Sequence, residues 1–248
     1  MSAAATTIDD DEIAKFSAIA EEWWDPTGKF APLHRINPLR LNYIREHAID
    51  HFKLDDASLT PLEGLKLIDI GCGGGLVSEP LAKMGAQVTG IDGSEKNIKT
   101  ASVHAQQRGV DVDYRATQAE TLAEAGEQFD IVLALEVIEH VADVPLFLDA
   151  IQRLLKPGGL MIVTTLNRTL KSYAFAIVGA EYVLRWLPHG THDWKKFLKP
   201  HEIVQPLEAK NMRLKQMRGM VLNPLRREWQ LSERDFDVNY LLVLEKLH

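Results

Sequence analysis

The sequence predicts an open α/β sheet of seven strands, mostly parallel and closed by an antiparallel C-terminal strand. Three observations carry that expectation. From Leu65 onward, short apolar runs alternate with helical stretches, the order that builds parallel sheets. The first run, Leu67-Ile68-Asp69-Ile70, enters the cluster Gly71-Cys72-Gly73-Gly74-Gly75, a strand-to-helix turn whose glycines let the backbone bend without a Cβ in the way. Asp92 then follows about 20 residues on, the spacing of an acid that ends the next strand beside a bound ribose.

The elements follow in chain order. Residues 1–8 read as unstructured, and Thr7 or Asp9 caps a helix running to about Trp24. Ile13, Phe16, Ala20 and Trp23 share one apolar face of it. Pro26-Thr27-Gly28 makes a turn, and Asn37-Pro38 reads as the N-cap and first residue of a second helix through His51. Residues 1–64 thus form an N-terminal helical cap, with 52–64 linking it to the sheet domain at 65–248. Strands are expected at 66–70, 87–91, 111–114, 130–134 and 160–165, and helices near 75–84, 94–108, 117–124 and 144–155. Lys156-Pro157-Gly158-Gly159 is a turn before the fifth strand. Pro200 opens a helix over 200–210, and 213–219 and 237–246 close the sheet as an antiparallel pair at its edge.

Composition narrows the classes of function. The 248 residues fit one α/β domain with room for additions. A formal charge of −7 argues against a nucleic-acid partner. Cys72 is the only cysteine, so no intramolecular disulfide forms and a reducing compartment is expected. Its place in the turn reads as packing and not as a nucleophile. There is no basic-apolar leader and no apolar run near 18 residues, which points to a cytoplasmic protein with membrane contact only at its surface. Residues 168–199 depart from the acidic average, with six Lys or Arg against two Asp or Glu among many apolar and aromatic residues. Such a stretch suits a lid, or an interfacial insertion touching anionic lipid.

The glycine turn also speaks to the ligand. Leu76 stands where the third glycine of a dinucleotide fingerprint would fall, and Asp69 before the turn would repel phosphates. A carboxylate there suits an ammonium group, which points to S-adenosylmethionine and disfavours an NAD-binding oxidoreductase. Asp92 would accept from both ribose hydroxyls, a charge-assisted pairing. A second cluster is Glu136, Glu139 and His140. If a helix starts after the fourth strand, these positions share one face at the carboxyl end of the sheet. Their hard oxygen and nitrogen atoms suit Mg²⁺ or a similar divalent cation; a helix start carrying stabilising acids is the plainer alternative.

Taken together, these segments resemble the ubiquinone biosynthesis O-methyltransferase family, within the Rossmann-like class I S-adenosylmethionine-dependent methyltransferases. Beside the glycine turn, the resemblance rests on Ile13-Ala14-Lys15-Phe16, Trp23-Trp24-Asp25, Pro32-Leu33-His34-Arg35-Ile36-Asn37-Pro38-Leu39-Arg40, Glu136-Val137-Ile138-Glu139-His140 and Thr165-Leu166-Asn167-Arg168. Val178-Gly179-Ala180-Glu181-Tyr182, Gly190-Thr191-His192-Asp193 and Val238-Asn239-Tyr240 add to it.

The resemblance implies methyl transfer to phenolic hydroxyls of polyprenylated ubiquinone precursors, at both O-methylation steps. It implies that Arg40 pairs with the cofactor carboxylate, that Gly71 and Gly73 pass beside the methionine part, and that Gln118, Ala119 and Leu135 neighbour the adenine. Glu136, Glu139 and His140 would hold the metal; His140 could instead be the general base, with Glu136 beside it in catalysis. An anionic membrane surface on the inner membrane face and a quinone-synthesis complex are the implied partners. The alternatives are a methyltransferase for another small phenol or catechol, and a non-catalytic lipid-binding subunit of such a complex.

Overall fold

The computed structural model describes residues 6–174, 193–223 and 228–248. Eight strands form one sheet in the order β3-β2-β1-β4-β5-β8-β6-β7. They are β1 (Lys66–Ile70), β2 (Gln87–Asp92), β3 (Asp113–Ala116), β4 (Phe129–Leu135), β5 (Leu155–Leu166), β6 (Met212–Asn223), β7 (Glu228–Ser232) and β8 (Asn239–Lys246). The first five pair in parallel, and β8, β6 and β7 add antiparallel pairings. β7 was not expected from the sequence. Only Trp229 and Leu231 alternate in it, too short a pattern to mark a strand without its partner β6. The two C-terminal strands do pair with each other, with β8 lying between β5 and β6.

The central strands are apolar on both faces, as a covered parallel sheet requires. On one face Ile68, Val132, Val163 and Leu242 pack with residues of α5 (Ala119–Glu124), α6 (Val144–Leu154) and α8 (Pro200–Glu208). On the other, Leu67, Leu133, Ile162 and Val243 meet α2 (Ala31–Phe52) and α3 (Ser78–Lys83). α2 therefore belongs to the wall of the sheet, and the segment before it covers the site. That segment is α1 (Asp10–Ala18), capped by Asp9, followed by a 3₁₀ turn at Ala20–Glu22. α2 starts six residues before Asn37, because Pro32 occupies its first turn and Pro38 is carried inside it.

Two further local differences matter. Leu155 pairs with Phe129 and Leu160 with Ile131, so Lys156-Pro157-Gly158-Gly159 bulges out within β5 and does not precede it. After β4 no α-helix forms. Glu136 takes a left-handed φ of 54°, a single 3₁₀ turn spans Ile138–His140, and Asp143 already caps α6. Of the remaining elements, α4 (Glu95–Arg108) is capped by Ser94, and α7 (Leu170–Ser172) is one turn closed by Thr169. The centre of the expected insertion at 168–199, including Val178-Gly179-Ala180-Glu181-Tyr182, lies outside the described residues.

Candidate active site

β1 lies between β2 and β4, so the chain leaves it in opposite directions and opens a crevice at the carboxyl ends of the strands. A cavity of about 790 Å³ occupies that crevice. Arg40, Asp69, Gly71, Asp92, Gln118, Ala119, Leu135, Glu136 and His140 all line it. Gly73 and Glu139 are not among the lining residues.

Two buried charges face each other across the start of the turn. Asp69 accepts from the Ser78 hydroxyl at 2.6 Å, and burial pushes its carboxyl up to about 6 despite that bond and the charge of Arg40. Arg40 is buried on α2, donates to Asn37 Oδ1 at 3.3 Å, and leaves its Nε without a partner. Burial pulls its guanidinium down, while Glu136 and Asp69 hold it up. A buried cation with an unsatisfied donor is costly, and a ligand carboxylate would satisfy it. Asp69 and Arg40 together complement a zwitterion.

Gly71 (φ +71°) lines the cavity, and a Cβ there would meet Val137 Cγ2 at 2.7 Å. Gly73 (φ +55°) answers to a different neighbour, the indole of Trp23, which a Cβ would approach to 2.3 Å. Its N–H donates to Asp92 Oδ2 at 3.0 Å; Asp92 Oδ1 accepts from Ser94 N at 2.8 Å and Asn97 Nδ2 at 3.2 Å. Three of about four acceptor positions of Asp92 are thus engaged by protein. Binding both ribose hydroxyls would therefore require one of these bonds to yield. Burial raises Asp92 despite them. Cys72 is buried and its thiol is pushed up by that burial, which leaves no nucleophile in the turn.

The Glu136–His140 corner differs from the expected helix face. Glu136 Oε1 accepts from Thr164 Oγ1 at 2.8 Å, and Glu139 turns inward to accept from Thr165 Oγ1 at 2.8 Å. Burial and the neighbouring Glu136 push Glu139 well up, and its Oε1 has no other partner. A carboxyl held up in this way favours its neutral form beside Glu136. His140 Nδ1 instead meets Glu12 Oε2 of α1 at 3.0 Å. Among the described residues, no three His, Cys, Asp or Glu side chains gather so as to hold a metal ion. The 3₁₀ turn separates the three residues that an α-helix would have aligned.

Known proteins resemble this chain in sequence and in fold. A family model described as a methyltransferase domain matches residues 68–163. The chain is 57% identical over 244 residues to the ubiquinone biosynthesis O-methyltransferase of Parvibaculum lavamentivorans, covering 98% of this chain and 96% of that one. It is 57% identical to the same enzyme of Sinorhizobium fredii, covering 98% of each. The chain belongs to the ubiquinone biosynthesis O-methyltransferase family. Among solved structures, magnesium protoporphyrin IX methyltransferase from Synechocystis PCC 6803, with bound SAH, superposes with a TM-score of 0.64 at 20% identity, covering 96% and 94% of the two chains. That likeness is one of fold.

For this family member, several contacts beside the site could not be read from the sequence. Trp23 Nε1 donates to Asn97 Oδ1 at 3.0 Å, and Trp24 Nε1 to Gly74 O at 2.9 Å. Trp24 stacks on His104 with ring centroids 3.5 Å apart. Thr6 donates to Gln118 Oε1 at 2.6 Å, and Thr7 N to Glu120 Oε1 at 2.7 Å. These bonds stitch the N-terminal segment over the cavity. Glu12 and Lys196 belong to the same closure. In sequence, Glu12 reads only as one of several acids in a first helical turn, and its partner is 128 positions away.

Proposed function

We propose that this chain transfers the methyl group of S-adenosylmethionine to a phenolic oxygen of polyprenylated ubiquinone precursors. The observation that carries the reading is one continuous cavity with three chemistries. Asp69 and Arg40 suit the amino-acid end of the cofactor, Glu136 and His140 a reacting phenol, and Met220, Leu222 and Trp229 an apolar tail. The S–CH₃ bond breaks as the O–CH₃ bond forms, and the electron pair leaves with sulfur as a neutral thioether. A phenol near pKa 10 gives up its proton at pH 7 at a cost of roughly 4 kcal/mol. His140 lines the cavity at this corner, and we assign it as the acceptor of that proton. The negative charge of Glu136 favours both the cationic sulfonium and the imidazolium. Fixed orientation of the reactants lowers such barriers by about 7–11 kcal/mol.

Glu136 and Glu139 fit a divalent cation in part, because they are neighbouring carboxyls with hard oxygens and Glu139 Oε1 has no hydrogen-bond partner. Mg²⁺ bound there would supply Lewis-acid stabilisation of a phenolate. The reading also includes residues 1–64 as the cap, 65–248 as the methyltransferase domain and 168–199 as an insertion toward an anionic membrane surface or a quinone-synthesis complex. Exposure of Leu170 and Tyr173 where that insertion begins supports the membrane contact. No helix among the described residues is long and apolar enough to cross a membrane.

The test is mass-spectrometric methyl transfer from S-adenosylmethionine to a short-tailed demethylubiquinol, kept reduced, with and without Mg²⁺ and anionic vesicles. Gain of one methyl is expected. No product despite measured cofactor binding would reject the acceptor. Equal turnover of a tail-less catechol would move the substrate to another phenol. A Mg²⁺ requirement that disappears in Glu139→Gln would assign the ion to the carboxylate pair.

A further inference from the structure

We infer that Asn239, the first residue of β8, binds a second oxygen substituent on the acceptor ring and so favours rings that carry two oxygens. This rests on the reading above that a phenol reacts beside Glu136. Asn239 lines the cavity and is 8% exposed, yet its Oδ1 is buried without a hydrogen-bond partner among the described residues. An amide oxygen left in that state costs stability, and asparagine is a poor strand former. The next two residues on the same face of β8, Leu241 and Val243, are apolar and buried. A leucine at 239 would extend that face, so a ligand that hydrogen-bonds to the amide accounts for the polar side chain.

The sheet register places the amide between the reacting corner and the apolar wall. Thr164, whose hydroxyl donates to Glu136 Oε1, pairs with Leu241, and Leu166 pairs with Asn239. Thr164 and Asn239 are therefore diagonal neighbours on one face, about 7 Å apart, a span that one substituted ring covers. On the other side Gly219 pairs with Tyr240, so Met220 comes beside Asn239 and leads to Leu222 and Trp229. Glu136, Asn239, Met220, Leu222 and Trp229 all line the cavity. Lys171 and Asp235, charged residues that also line it, are occupied with each other at 2.6 Å. A ring with its reacting oxygen at Glu136 and its tail on Trp229 thus passes Asn239. An amide offers an acceptor on one edge and donors on the other, and a half-turn of the group exchanges them. It takes a ring hydroxyl, which donates, or a methoxy oxygen, which accepts. Asn239 holds and selects the ring, and it moves no proton in the reaction.

The test uses the full chain with S-adenosylhomocysteine and a chelator, so that a metal joined to two ring oxygens plays no part. Calorimetry compares a short-prenyl catechol with the matching phenol that lacks one hydroxyl. The wild type should bind the catechol about 5- to 10-fold more tightly, the scale of one neutral hydrogen bond. Asn239→Leu should lose that preference by weakening the catechol alone. It should unfold at the wild-type temperature or above, because the orphan oxygen is gone. In turnover the loss should fall on KM for the catechol more than on kcat. Equal affinity of the wild type for the two ligands overturns the inference and needs no variant to fold. Equal weakening of both ligands in Asn239→Leu also overturns it and makes Asn239 a support of the wall. A preference abolished by Asn239→Leu, in a chain that methylates neither ligand, would uphold the recognition and overturn the methyl-transfer reading.

Discussion

The indole of Trp23 lies so close against Gly73 that a Cβ added at the glycine would sit 2.3 Å from its Cζ2. The same indole stacks on Phe30 at a centroid distance of 3.7 Å and donates to Asn97, which donates in turn to Asp92. Asp92 closes the circuit by accepting from the N–H of Gly73. The glycine turn is therefore shaped by the cap as well as by any ligand, and one network joins the N-terminal segment to the acid expected to hold ribose.

Gly73→Ala should consequently lose about 2–4 kcal/mol, from a left-handed φ closed to alanine together with the clash. Trp23→Ala removes a packed indole at about 3–5 kcal/mol, but also removes the clash. The double variant should be less destabilised than the sum by about 1–3 kcal/mol. Urea unfolding of the four proteins measures this, and strict additivity would refute the contact.

Cofactor affinity should depend on pH through Asp69. Burial holds this carboxyl at about 6, against an ordinary value of 3.8. Its raised value favours the folded, empty protein most below the unfolded value, and that advantage is lost as pH rises through about 6. An ammonium group requires the ionised form, so binding below pH 6 must first expel a proton. The Kd for S-adenosylmethionine should rise about fivefold between pH 6 and 5. Asp69→Asn should bind weakly with no such slope, and Arg40→Gln should move the break upward, because the Arg40 charge holds Asp69 down. Calorimetric titration across this range gives the answer; a wild-type Kd flat with pH would count against Asp69 as the ammonium partner.

The parts legible in the sequence were those whose cause is local. Lys66–Ile70 announced itself because it is buried on both faces and ends at a turn that only glycines can make. Asp143 and Ser94 mark helix starts by the bonds their own side chains make to the backbone. What stayed illegible was set by distant neighbours. Pro38 reads as a helix start, yet α2 begins earlier because Pro32 supplies its first turn and Ile36 packs with the sheet behind it. The Glu136 cluster suggested a helix, but the left-handed Glu136 and the early cap at Asp143 leave room for one 3₁₀ turn. Arg40 became recognisable as a site residue from sequence only through the family resemblance, since its burial beside Asp69 depends on how α2 docks.

The raised carboxyl of Glu139 gives a stability prediction. Glu139 is pushed up by burial beside a second carboxylate, so its contribution is present at low pH and fades as pH rises through its folded value. Glu139→Gln puts a neutral side chain beside Glu136 at every pH. The variant should match the wild type within about 1 kcal/mol near pH 6 and exceed it increasingly toward pH 9. Thermal unfolding at several pH values reads this directly. A variant that loses stability equally at all pH values would mean that Glu139 is held as a carboxylate.

The β6–β7 hairpin, absent from the sequence reading, should govern how strongly the substrate tail is felt. Leu222 and Trp229 lie opposite each other in its register, and both line the cavity. Each buried methylene is worth about 0.8 kcal/mol, so a tail lying against Trp229 should raise kcat/KM with length until the wall is covered. Trp229→Ala should cost about tenfold with a prenylated phenol, the equivalent of roughly 1.4 kcal/mol of lost contact. It should leave a tail-less catechol nearly unaffected, because Asp69 lies in β1 and His140 just after β4, strands with which β7 does not pair. Steady-state kinetics on a series of tail lengths separates the two effects. An equal loss on both substrates would instead make Trp229 a support of the sheet edge and send the tail elsewhere.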